Sequence, residues 1–200
     1  MSTILRLGRA DHGRPLTLEE FTAGEYEPGY KYELIDGKLE VSPAANFPEI
    51  AVQLWLYGQV NLYARANPEL VKFVTAISRV FVPDRPDITA PEPDLAAYRD
   101  FPTELPLRDI RWEDITPFLV AEILSADDPN KDLVRNAELY FLVPSIKEYW
   151  VLDARDDADH PRMRVHRRYG KRWRIIEIEP GGTYATRLLP GFTLTLNVRT

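Results

Sequence analysis

Cysteine is absent from the 200 residues, which removes disulfides and thiolate metal sites from consideration. Histidine is scarce: His12, His160 and His166 show no metal-ligand spacing and no HNH-like pattern. No stretch approaches the roughly 20 apolar residues of a membrane span. The N-terminal MSTILRLGRADHGRP lacks the apolar core of about 7–15 residues that a signal peptide carries. Internal repeats and low-complexity tracts are missing as well. These absences lead to the expectation of a cytoplasmic protein with no membrane partner, held together by an ordinary apolar core. A chain of this length supplies one such core, or at most two small ones.

Hydrophobic residues make up 44% and charged residues 28% of the chain, the balance of a globular domain. Seventeen Pro and ten Gly predict many short elements joined by ordered connections. The net charge of −6 argues against a general polyanion binder, but the charge is uneven. HPRMRVHRRYGKRWR, from His160 to Arg174, holds six Arg and one Lys with no acid, so the remaining 18 basic residues face all 31 acidic ones. An acidic body with one basic ribbon is the result. As a hairpin about Gly170, this ribbon would place Arg162, Arg164, His166 and Arg168 on one face and Met163, Val165 and Arg167 on the other. Arg164, Arg168 and Lys171 are its candidate contacts to a phosphate backbone.

The local signals predict a consistent order of elements. PLTLEEFTAG reads as a short helix with Thr17 as N-cap and Glu20 closing a capping box. KYELIDGKLEVSP reads as a hairpin about Asp36-Gly37. The stretch from Phe47 to Ala66 is helical, with Pro48 in its first turn, Asn67-Pro68 beyond its end, and Ile50, Leu54, Tyr57 and Ala64 as an apolar stripe. LVKFVTA and ISRVFVP are expected as strands, followed by the proline-rich PDRPDITAPEPD and the short strand DLAAY. PFLVAEILS looks like a central strand covered on both faces. A helix over DPNKDLVRNAELYFLV, a buried strand in KEYWVLD, the basic hairpin and a terminal strand in GFTLTLNV complete an α+β fold with a mixed central sheet. Residues 1–16 are expected as an N-terminal extension and residues 17–200 as a single domain.

One residue disturbs the apolar run PFLVAEILS. Phe118, Val120, Glu122 and Leu124 alternate onto one face of the strand, and Glu122 there needs a cation or several hydrogen-bond donors. Asp94 opens the strand DLAAY, and pairing of the two strands would bring both carboxylates to one hard divalent cation. Mg²⁺ is commonly held by one or two carboxylates while it retains several waters. Such an ion eases ionisation of water and offsets charge on a phosphoryl group.

The segments YELIDGKLEVSPA, EPDLAAY, LVAEILS, KDLVRNAELY and EYWVLD, in this order from about Thr17 to Asp153, resemble the Uma-type restriction-endonuclease family of the PD-(D/E)XK nuclease superfamily. The resemblance implies a restriction-endonuclease-like core flanked by helices, with extra N-terminal and C-terminal hairpins, and a Mg²⁺- or Mn²⁺-dependent endonuclease acting on DNA. It implies Asp94 and Glu122 as metal ligands, the backbone carbonyl of Ile123 as a further ligand, and Glu33 as an acid assisting the metal or its waters. The superfamily's lysine, two residues beyond the second acid, is replaced by Leu124. The Uma-type pattern carries a lysine on the following helix, and here Asn136 takes that place. The alternative is a catalytically weak or inactive nucleic-acid-binding or interaction module on the same fold. A homodimer is a further expectation.

Overall fold

The computed structural model describes residues 5–124 and 128–199. Residues 125–127, which follow Glu122 closely in sequence, lie outside the described residues. No helix among those described is long and apolar enough to cross a membrane.

The chain starts with β1 (Arg6–Leu7), the helix α1 (Leu18–Ala23) and β2 (Glu25–Tyr26), which pairs in parallel with β1. Thr17 and Glu20 close the expected capping box on α1. The hairpin β3 (Tyr30–Ile35) and β4 (Lys38–Pro43) follows. Its two-residue turn places Asp36 at φ 48° and Gly37 at φ 70°, the left-handed pair that an Asp-Gly turn supplies at least cost. Leu7, Leu16, Phe21, Leu34 and Leu39 form a small core beneath this N-terminal unit.

Helix α2 (Phe47–Ala66) forms over the expected residues, with an Asn46–Glu49 capping box at its start. Its buried face is only in part the expected one, since Ala64 is buried and Tyr57 packs partly against the core. Val52, Leu56, Val60 and Ala64 pack inward, whereas Ile50 and Leu54 point to solvent. Apolar residues lie all around this helix, so spacing alone does not distinguish the face that packs.

The remaining strands are β5 (Phe73–Thr75), β6 (Leu95–Tyr98), β7 (Leu119–Leu124), β8 (Glu148–Asp153), β9 (Arg162–Tyr169), β10 (Arg172–Ile178) and the pair β11 (Thr183–Ala185) and β12 (Thr193–Thr195). Six of them form the central sheet in the order β10-β9-β8-β7-β6-β5. Only β7 and β8 run parallel, so the sheet is mixed. The basic hairpin therefore continues the sheet at its edge. ISRVFVP forms no regular strand. Val80 and Val82 are buried and their N–H groups reach Pro91 and Thr89 carbonyls, but prolines 83, 86, 91 and 93 deny the passage a continuous ladder.

Every residue of β7 is buried, as an apolar strand covered on both faces requires. Leu119, Ala121 and Ile123 face α2. Val120 and Leu124 face the opposite layer, formed by a π-helical turn (Lys131–Asn136) that runs into α3 (Ala137–Phe141). Phe118, expected on the Glu122 side, packs on the α2 side, because it precedes the strand and escapes strict alternation. The proline-rich passage ties the first hairpin to the sheet. Ala90 N–H bonds the Leu34 carbonyl at 2.7 Å, Gly37 N–H bonds the Ile88 carbonyl at 2.8 Å, and Arg85 pairs with Asp36. This docking carries β3 to the end of the sheet where Glu122 lies.

Candidate active site

The register of β6 and β7 sets Leu95 opposite Ala121, so Asp94, one residue before β6, falls beside Glu122. Asp94 is fixed by the main chain of the neighbouring strand, since Ile123 N–H donates to its Oδ2 at 2.7 Å. Gln53 of α2 holds the same position from the other side, donating to the Asp94 carbonyl at 2.9 Å. Glu122 is 1% exposed, and its Oε1 accepts from Tyr140 Oη at 2.8 Å and from Asn136 Nδ2 at 3.0 Å. The oxygens left over, Asp94 Oδ1 and Glu122 Oε2, both face Lys31 Nζ, at 2.9 and 3.7 Å. Two carboxylates from adjacent strands thus share one cation contributed by β3.

A second layer surrounds this pair. Asn136 is fully buried, and its amide also donates to Asp132 Oδ1 at 3.0 Å, so one side chain separates two carboxylates that would repel each other. Glu33 is 1% exposed and accepts from Glu92 N–H at 2.9 Å, while Lys131 and Arg135 reach its Oε2 at 2.9 and 3.2 Å. Arg135 also donates to Asn136 Oδ1. All four of Lys131, Asp132, Arg135 and Asn136 come from the π-helical turn, a widened turn that often marks functional sites.

These environments separate the carboxyl groups electrostatically. Burial pushes Glu122 well above the usual carboxylate range, opposed by Lys31 and reinforced by Asp94 and Asp132. Burial likewise raises Asp132 to about 7, against the pull of Lys131. Burial would raise Glu33 too, but Lys131, Lys31, Arg135 and the Glu92 amide together hold it down to about 2. The cluster thus contains an anchored anion, Glu33, beside two acids that resist ionisation when only ammonium groups are near.

The cleft over these groups has a volume of about 480 Å³ and is rimmed by Glu40, Glu49 and Asp128 as well as by the cluster itself. Acids outnumber bases along its wall. An uncompensated phosphate backbone would be repelled there, whereas a cation would be drawn in.

The Uma2 family model, described as "Putative restriction endonuclease", matches residues 18–197. The chain belongs to the Uma2 family. A crystal structure of "a putative nuclease belonging to DUF820" from Anabaena variabilis is similar in fold, with a TM-score of 0.64 at 19% identity, covering 92% of this chain and 96% of that one. At that identity the likeness speaks for the fold alone, which is restriction-endonuclease-like. No curated protein gives a significant match.

Among the expected site residues, Asp94, Glu122 and Asn136 meet in one cluster. Glu33 joins it at one remove, through Lys131, Arg135 and the 92 amide. Ile123 contributes its N–H to Asp94, and its carbonyl lies on that same strand edge. The basic ribbon is placed elsewhere. Arg164 pairs with Glu177 at 2.6 Å, and Arg168 donates to the carbonyls of Tyr140, Phe141, Val143 and Ile146, closing the end of α3. His166, expected to share their face of the hairpin, is buried against Tyr149, where burial lowers its pKa to about 4. Lys171 is exposed next to the Gly170 turn, at the end of the sheet opposite Glu122.

Lys31 and Tyr140 contribute to the cluster but escape the sequence reading, whereas Lys131 and Arg135 stand near Asn136 already in the sequence. Lys31 carries one usable signal, its position two residues before Glu33 on the same strand face. Tyr140 stands four residues after Asn136 on the following helix, which places both on the side facing Glu122.

Proposed function

We propose that this Uma2 protein is a metal-dependent nuclease that hydrolyses phosphodiester bonds of DNA, using Mg²⁺ or Mn²⁺ held by Asp94 and Glu122 and by the Ile123 carbonyl. The observation that carries this reading is the convergence of Asp94 Oδ1 and Glu122 Oε2 on a single cation in an acidic cleft. Asp94 and Glu122 would form the carboxylate share of the ligand set; among the described residues no group of three or more acidic or histidine side chains is arranged to hold a metal. That donor set suits a hard cation retaining several waters. Such an ion, when bound, makes an attacking water easier to ionise and offsets negative charge developing on the phosphate.

The chain's own groups supply orientation. Ile123 N–H and the Asn136–Tyr140 pair each occupy one oxygen of a carboxylate, which leaves the other aimed into the cleft. Glu33 anchors Lys131 and Arg135 at the cleft wall, where their charge can attract the phosphate diester. In hydrolysis the water oxygen bonds to phosphorus as one ester bond breaks. The alternative, nucleic-acid binding without cleavage, would need a positive surface. Lys171, Arg172 and Arg174, which form no ion pair among the described residues, stand on the β9–β10 hairpin, away from the cleft. Nicking of supercoiled plasmid in Mg²⁺ or Mn²⁺ tests the proposal: wild type should nick, and Asp94→Ala should not. Equal activity of the two proteins at matched purity would refute it.

A further inference from the structure

Lys31 differs from the other basic groups of the cluster. Lys131 and Arg135 both engage Glu33, a carboxylate held for them by the Glu92 amide. Lys31 has no such dedicated partner, because its Nζ lies between the two oxygens that the proposed metal would use, 2.9 Å from Asp94 Oδ1 and 3.7 Å from Glu122 Oε2. The other oxygen of each acid is already engaged by protein donors. An ammonium and a divalent cation cannot both occupy that point, since like charges a few ångströms apart in a partly buried site repel strongly.

The side chain also has somewhere to go. Lys31 lines the cleft above the carboxylates and a second cleft of about 500 Å³ beside it, walled by Tyr30, Tyr32 and Arg79. It is one quarter exposed and belongs to a strand whose far end, at the Asp36-Gly37 turn, is pinned to the sheet. A four-carbon stem can therefore swing without moving the backbone.

We propose that Lys31 is the resident counter-ion of the metal-free site, that a divalent cation displaces it from Asp94 and Glu122, and that the displaced ammonium then serves the substrate phosphate. The inference rests on the reading of this site as a metal-dependent nuclease. It makes Lys31 a competitor of the metal and a helper of the reaction at once, and those two roles give opposite signs in one variant.

The test is calorimetric titration of wild type, Lys31→Met, Lys31→Gln and Asp94→Ala with MgCl₂ or MnCl₂ alone, followed by plasmid nicking at saturating metal. Lys31→Met should bind metal on the order of tenfold more tightly than wild type, because the repelling charge is gone. Its nicking rate at saturation should fall by about 10²-fold, the scale of a lost transition-state charge contact. Lys31→Gln should move in the same direction on both measures, and it carries the comparison if the Met variant does not melt cooperatively. Unchanged or weaker metal affinity in a folded Lys31 variant, or a nicking rate equal to wild type, would overturn the inference while leaving the metal site intact. Identical binding by wild type and Asp94→Ala would instead remove the metal reading on which it stands.

Discussion

Glu33 and Glu122 are both 1% exposed and both reach the same cluster, yet neutralising each by a Glu→Gln change should have opposite consequences. In Glu33→Gln the remaining oxygen can still accept the Glu92 N–H, but Lys131 and Arg135 lose their counter-charge. Glu33 is held at about 2 against an ordinary 4.5, a difference worth ~3 kcal/mol at neutral pH. Removing one member of a buried ion pair independently leads to ~3–5 kcal/mol. For a domain of this size, ~3 kcal/mol lowers Tm by roughly 6–12 °C. The pH sign follows from a lowered folded pKa. The stabilisation is present above 4.5 and disappears as pH falls toward about 2. Urea denaturation of wild type and Glu33→Gln in metal-free buffer, repeated between pH 7 and pH 3, should show a gap that narrows toward acid. A loss below ~1 kcal/mol at pH 7, or a gap that stays constant with pH, would refute the assignment of Glu33 as a structural anchor.

Glu122→Gln should leave the metal-free Tm unchanged or raise it, because burial already disfavours the charged carboxylate; a fall of more than a few degrees would mean that its pairing with Lys31 outweighs burial. Asp132, raised to about 7, should make folding stability decline as pH rises from about 4 to about 7, and Asp132→Asn should flatten that decline in a melting series. An unchanged slope in the variant would move the effect to another group. Arg168→Ala should lower Tm by several degrees through loss of its four main-chain contacts, with little effect on plasmid binding measured at low salt; the reverse pattern would return Arg168 to the nucleic-acid surface.

Much of the fold was legible because local chemistry and tertiary structure agree. Asp-Gly set the first hairpin, Pro48 and Asn67-Pro68 bracketed α2, and an apolar run marked β7 as a central strand. The inward face of α2 was not legible, because its apolar residues surround the helix and only contact with the sheet selects Val52, Leu56 and Val60. The irregular course of residues 77–83 was hidden for a different reason: its own composition reads as a strand, and of the prolines that break the ladder only Pro83, at its end, belongs to it, while Pro86, Pro91 and Pro93 follow in the segment it meets. In the site, Asp94 and Glu122 stood out as acids beside apolar strands. Lys31 did not, because its meeting with Asp94 spans 63 residues and depends on the docking of the first hairpin. Arg168 shows the converse, a basic residue whose sequence context suggested a ligand but whose partners are carbonyls at the end of α3.

Asp94 and Glu122 are proposed to form one divalent-cation site. Isothermal titration of the purified chain with MnCl₂, beside Asp94→Ala under the same conditions, addresses it most directly. Wild type should give a saturable, single-site binding curve that is lost in Asp94→Ala while both proteins remain folded by circular dichroism. Saturable binding of equal strength in the two proteins, or none in either, would contradict it.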